Sequence, residues 1–320
     1  MHRFFWIDPD ANWDRRIRFF SFTWRKNGGM TTDIRDKAYI SHHDVIGLNF
    51  IKPDGPYVFR RHFRQGLRSH VLELLLPGDI VIEKSGTVID GTRWYPKAAP
   101  HRIFRIFRTR LKTLNHALEE VRRVKVVERY LLPEYLAQSI EIIVDYIGPC
   151  GRDLMLCGLQ EYVQGEILDP WSPMPPDGLL PTLYDTLQIQ SATPAMPIAP
   201  WILNARQKGA RFVHRIKRMI AQTRHVPDLA GIGNLIMAAS GAIKLVDINN
   251  IRKIPFDGTI DLDDRGYPVC DKSIEALSIL EYKLLGRPID RGEEIYRTFL
   301  EPRRMEQVRT REMAYHRNSK

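Results

Sequence analysis

Residues 226–251 read VPDLAGIGNLIMAASGAIKLVDINNI. Asp228 stands in a glycine-bearing loop, Asn234 opens an apolar run, Ser240-Gly241 supplies a turn, and a second apolar run ends at Asp247. Two short apolar runs joined by a tight turn predict a hairpin. A hairpin returns its outer ends to one place, so Asn234 and Asp247 are expected to arrive together. Two readings follow. Either these are polar residues at the exposed end of a structural hairpin, or they are oxygen ligands for a hard cation.

The rest of the chain bounds the choice. With 320 residues it is long enough for one large domain or two lobes. Hydrophobic residues make 43% and charged residues 27%, the balance of an ordinary globular protein. Cys150, Cys157 and Cys270 fit neither a disulfide framework nor a zinc site, and the ten histidines show no ligand spacing. A cytoplasmic location is therefore expected. The first residues carry aromatics but no continuous apolar segment, and Asp8, Asp10 and Asp14 interrupt them, so no signal peptide is expected. No apolar run suits a transmembrane segment. The net charge of +10 favours phosphate-bearing or otherwise acidic partners, among them nucleotides, anionic surfaces and nucleic acid.

Residues 1–70 are mixed, aromatic and basic, and have no legible role. PGDIVIEKSGTVID (77–90) predicts a hairpin turning at Ser85-Gly86, and HRIFRIFRTR (101–110) a strand. Residues 114–131 place Leu114, Leu118, Val121, Val124 and Val127 on one helical face. IEIIVDY (140–146) and LMLCGLQEYV (154–163) are apolar strand candidates. The Pro-rich DPWSPMPPDG (169–178) marks a boundary. A helix follows over 202–225, then the opening stretch, then a helix over 271–286 capped by Asp271 or Ser273 and stopped at Gly286.

Hairpin, strand, amphipathic helix, two strands, linker, helix, polar loop and strand pair is an order that resembles the protein-kinase-like superfamily. That superfamily includes aminoglycoside and choline phosphotransferases and small bacterial kinases. The resemblance covers roughly 78–286. It implies an α+β, two-lobed protein-kinase-like fold. Its small β-rich nucleotide-binding lobe would span 77–165 and its larger helical lobe 166–320, after an N-terminal extension at 1–76. It implies ATP and Mg²⁺ as cofactors and phosphoryl transfer to a hydroxyl acceptor.

The same resemblance assigns residues. Asn234 and Asp247, thirteen positions apart, would hold the metal, and Asp228 would be the catalytic base. LCGLQEYVQGEIL (156–168) resembles the hinge, with main-chain groups of Glu161 and Val163 at the adenine edge and Leu159 or Val163 on its face. Gly86 would serve the phosphate loop. Arg105 or Arg108 would replace the strand lysine, with Arg108 preferred, and Glu119, Glu120 or Glu128 would be its helical partner, with Glu120 as the site residue.

Departures from the pattern define an alternative. No G-x-G-x-x-G is present, five residues rather than four separate Asp228 from Asn234, and Asp247-Ile248-Asn249 replaces Asp-Phe-Gly. These favour a pseudokinase scaffold that binds nucleotide or a protein partner without turnover. Residues 101–129 carry nine Lys/Arg against three Glu, which suits an anionic surface, but no nucleic-acid signature accompanies them. The acidic run 257–266 lacks the glycine and closing glutamate of a calcium loop, so a hairpin with its turn at Asp264-Arg265-Gly266 is expected.

Overall fold

The computed structural model describes residues 18–20, 32–63, 66, 68–189 and 196–318. The chain is mixed α+β and divides into two compact units, residues 1–121 with 138–162, and residues 122–137 with 163–320. Among the described residues no helix is long and apolar enough to cross a membrane.

The first unit is built on one sheet. Its elements are β1 (Arg18–Phe20), α1 (His42–Ile46), β2 (Val58–Arg61), β3 (Ser69–Leu75), α2 (Pro77–Ser85), β4 (Thr87–Ile89), β5 (Thr92–Trp94), β6 (Arg102–Phe107), the start of α3 (Leu114–Leu131), β7 (Ser139–Gly148) and β8 (Gly151–Glu161). The sheet order is β1-β7-β8-β6-β3-β2, with β1 parallel to β7 and every other pair antiparallel. Isoleucine and valine dominate β7, where branched side chains suit a pleated surface. Alternation along β6 sends Phe104 and Ile106 to one face, against Ile34, Val45, Leu48 and Phe50. Phe107 goes to the other face, with Ala117 and Val121 of α3.

The sequence misplaced the leading hairpin. Residues 79–83, expected as the first strand of that hairpin, lie within α2. Pro77 occupies the first helical turn, and Gly86 closes the helix at φ 75°, with its N–H donated to the Ile82 carbonyl. These start and stop signals outweigh the alternation of Ile80 and Ile82. The hairpin that joins the main sheet is instead β2–β3, with Val58 opposite Leu75 and Arg61 opposite Leu72. Residues 58–61 and 69–75, read as part of an extension, are thus two strands of this sheet, and β4–β5 is a separate two-stranded ribbon.

The second unit contains the remainder of α3, then β9 (Glu166–Ile167), α4 (Pro176–Ile189), α5 (Ile198–Thr223), β10 (His225–Val226), β11 (Leu235–Met237), β12 (Ile243–Leu245), β13 (Arg252–Lys253), α6 (Val269–Leu285), α7 (Glu294–Phe299) and α8 (Pro302–Asn318). Its core gathers Leu179, Leu183, Trp201, Phe212, Ile216, Leu277 and Leu280 around the β11–β12 hairpin. The Pro-rich stretch is more than a linker, because Pro176 starts α4. Gly286 ends α6 at φ 66°, as expected. Asp271 and Ser273 do not cap that helix. Pro268 stands at the cap, Asp271 receives Arg304, and Ser273 receives the Leu229 N–H. In the acidic run the expected turn forms, closed by the Gly266 N–H on the Asp263 carbonyl, but the expected hairpin does not, because residues 254–268 contain no strand to flank the turn.

Candidate functional site

The β11–β12 hairpin sets the geometry of the polar end. Leu235 lies opposite Leu245 and Met237 opposite Ile243, with all four side chains buried. The turn is closed by the Gly241 N–H on the Ala238 carbonyl, and Gly241 takes φ 71°. One register step outward, the Val246 N–H donates to the Asn234 carbonyl at 2.8 Å. Asp247 is the next residue, so the thirteen-residue spacing delivers Asn234 and Asp247 to one end of the hairpin.

The loop before it is ordered by its own polar groups. Asp228 Oδ1 accepts the N–H groups of Ala230 at 3.0 Å and Gly231 at 3.1 Å, an Asx turn. Asn234 Nδ2 donates to the Asp228 carbonyl at 2.8 Å, and its backbone N–H to the Gly231 carbonyl at 3.1 Å. A Cβ on Gly231 would fall 2.4 Å from Asn234 Nδ2, so only glycine admits this approach. Gly233 takes φ 91°.

Two further side chains hold the loop, and neither was read from the sequence as its partner. Ser273 Oγ accepts the Leu229 N–H at 3.2 Å, and Trp171 Nε1 donates to the Ala230 carbonyl at 2.7 Å. Lys283 Nζ bonds the carbonyls on both sides of Trp171, Pro170 at 3.0 Å and Ser172, while Lys272 lies over the indole at 4.4 Å. The available signal was a tryptophan among prolines and a lysine in the last turn of α6. Each looks unremarkable alone. Tyr267 stands near Asp228, and its hydroxyl is pushed well above the ordinary tyrosine range by burial, then by the charges of Glu312 and Asp228.

The donor set is two half-buried carboxylates and one buried amide. With Nδ2 committed to Asp228, the Asn234 Oδ1 is its ligand-type atom. Asp247 Oδ1 accepts the Asn249 N–H at 2.9 Å, and the carboxylate makes no ion pair among the described residues. Among those residues no group of three or more His, Cys, Asp or Glu is placed to hold a metal. One amide oxygen and one carboxylate would leave most of a Mg²⁺ shell to phosphate oxygens and water.

The remaining predicted residues are dispersed. Gly86 is the cap of α2, where a Cβ would meet the Trp94 carbonyl at 2.8 Å, and the glycine of the β2–β3 connection is Gly66. Arg108 directs its guanidinium to the carbonyls of Arg35 and Ala38 and to His70. Arg105 points to the opposite face of the sheet. It is 2% exposed, packed over Gly158 and Phe107, and 3.8 Å from Glu141 Oε1. Glu120 is half-buried on α3. The Glu161 N–H donates to the Gln138 carbonyl at 2.9 Å, and Glu161 stands opposite Arg102 in the β6–β8 ladder. The backbone of Val163 makes no hydrogen bond among the described residues. Two residues on, Gly165 lies so close to β11 that a Cβ would be 2.2 Å from the Met237 carbonyl. Compared with protein families and with curated proteins, the chain matches none.

Proposed function

We propose that this chain is an ATP- and Mg²⁺-dependent phosphotransferase with a two-lobed, protein-kinase-like fold, acting on a hydroxyl acceptor. The observation that carries the reading is the hairpin that delivers Asn234 and Asp247 together, next to a loop in which Asn234 is bonded to the backbone of Asp228. Asn234 Oδ1 and the Asp247 carboxylate would hold Mg²⁺, whose chemistry is to neutralise phosphate charge. Asp228 would orient the acceptor hydroxyl and take its proton, and its turn geometry fixes the carboxylate before substrate arrives. The unpaired Val163 backbone would meet the adenine edge. The antiparallel order β2-β3-β6-β8-β7, with α3 inserted between β6 and β7, supports the same reading through the element order that prompted the resemblance.

Phosphoryl transfer depends mainly on positioning and charge neutralisation. One observation favours the second reading, a nucleotide-binding scaffold without turnover. Both arginines proposed for phosphate are occupied inside the first unit, Arg108 on backbone carbonyls and Arg105 beside Glu141.

Thermal unfolding with and without ATP and Mg²⁺ tests the site. Ligand at about 100 times its Kd adds about 2.7 kcal/mol, a shift of a few degrees for a chain of this size. The expected result is a metal-dependent shift in the wild type that Asp247→Asn removes. Absence of any shift in the wild type would overturn both readings that involve nucleotide. A shift that persists in Asp228→Asn, with ATP turnover lost, separates enzyme from scaffold.

A further inference from the structure

α5 is 26 residues long and contains six Lys/Arg but no Asp or Glu. Its apolar side is buried in the core of the second unit, through Trp201, Phe212 and Ile216. Leu203, Gln207, Arg211, His214 and Arg218 recur every three or four residues, which places them on the other side of the helix. All five are exposed. Leu203 is 60% exposed, and Met196 and Ile198, at the start of the helix, are 47% and 42% exposed. The Tyr184 hydroxyl ties that start to α4 by donating to the Met196 carbonyl at 2.7 Å.

The cations of α5 divide by role. Lys217 turns to Glu281 at 2.6 Å and Glu293 at 2.8 Å, and Arg215 lies over the Tyr135 ring, 3.7 Å from Glu134. Arg211 reaches the Tyr135 hydroxyl, and Arg218 makes no hydrogen bond or ion pair among the described residues. The exposed side thus runs from an aliphatic end to a cationic stretch and has no carboxylate of its own. A surface of one charge sign attracts a polyanion, and the aliphatic end selects among polyanions. Nucleic acid is held through phosphates and base edges, which give three aliphatic side chains nothing to enter. An anionic bilayer offers headgroup phosphates above an acyl layer, and this side of α5 fits both. We propose that it docks the protein on an anionic lipid bilayer, with Arg211 and Arg218 among the headgroups and Met196, Ile198 and Leu203 at the acyl boundary. The face uses none of Asp228, Asn234 or Asp247, so it is independent of the phosphotransferase reading.

The test is co-sedimentation of the full chain with phosphatidylcholine vesicles, with and without phosphatidylserine. Partition onto the anionic vesicles alone is expected, and it should weaken as salt rises. Each Lys or Arg at such a surface is worth about fivefold, so Arg211→Gln with Arg218→Gln should weaken partition about 25-fold. Leu203→Ser should weaken it about tenfold. The same loss of charge at exposed positions of α8, Arg311→Gln with Arg317→Gln, should leave it nearly unchanged. If the α5 double variant fails to fold, Arg218→Gln alone decides, with a loss of about fivefold. No partition onto anionic vesicles, or an equal loss from the α8 changes, would overturn the proposal. Tighter binding to single-stranded RNA that is indifferent to Leu203→Ser would also overturn it and assign the face to nucleic acid.

Discussion

His70 shows what one buried side chain can contribute. Its Nε2 is 2.8 Å from the Ile34 carbonyl, so that nitrogen carries the proton and donates, while Nδ1 faces the Arg108 guanidinium at 3.4 Å and accepts. The neutral ring satisfies both contacts. Burial first, then the Arg108 charge, push its pKa down from 6.5 to about 4, although the Ile34 hydrogen bond opposes this. The unfolded chain therefore takes up a proton near pH 6.5, and the native chain does so only near 4. Between those values the unfolded state binds more protons, so stability falls as pH falls. The contribution is full above 6.5, is lost by about 4, and reaches about 3 kcal/mol at most. Denaturant midpoints at a series of pH values across this window should show the slope, and His70→Gln should flatten it. An unchanged slope in that variant would assign the titration elsewhere.

The 228–234 loop is where element-scale geometry decides whether the site exists. Its turn needs Asp228 Oδ1 on two backbone N–H groups and the Asn234 amide folded over Gly231. Gly231→Ala pushes a methyl into that amide and should cost about 1–3 kcal/mol by overpacking. It should also abolish the stabilisation by ATP and Mg²⁺, because Asn234 can no longer turn toward Asp228. Gly78→Ala is the control. That glycine lies in α2 with nothing within 4 Å of its added Cβ, so the change should be neutral or slightly stabilising. Paired melts of the two variants, with and without nucleotide, check both expectations. Equal behaviour of the two would remove Gly231 from the site.

On the scale of the whole molecule, residues 32–57 are part of the first unit rather than an appendage. Ile34, Ile40, Val45, Leu48 and Phe50 are buried on the face made by Leu72, Leu74, Phe104, Ile106, Ile142 and Val144. A chain starting at residue 57 would expose that face to water, and each large aliphatic side chain so exposed costs about 1.5–3 kcal/mol. This exceeds the stability of most domains. The truncated chain should lose near-UV dichroism and become protease-sensitive within β6–β8, as limited proteolysis with mass mapping would show. Retention of a protected β6–β8 core would mean that the sheet does not need this layer.

Local signals determined much of this protein from sequence alone. The α3 helix follows from its apolar spacing, the end of α6 from Gly286, and the β11–β12 hairpin from two apolar runs around Ser240-Gly241. The coincidence of Asn234 and Asp247 follows from that hairpin, because antiparallel register is arithmetic once the turn is known. Tertiary structure decided what depends on distant partners. Whether 77–90 is strand or helix rested on Pro77 and Gly86 rather than on the alternation of Ile80 and Ile82, and the short window supported both. The role of residues 58–75 depended on pairing with β6, roughly thirty positions away, and sequence spacing does not encode such pairing. Arg105 and Arg108 are three residues apart on or beside one strand, yet they reach opposite faces and different partners. Trp171 and Ser273 meet the 228–234 loop only in the folded chain, and Lys283 meets the backbone on both sides of Trp171, all through hydrogen bonds to backbone atoms. Backbone atoms are common to every residue and leave no mark in a sequence.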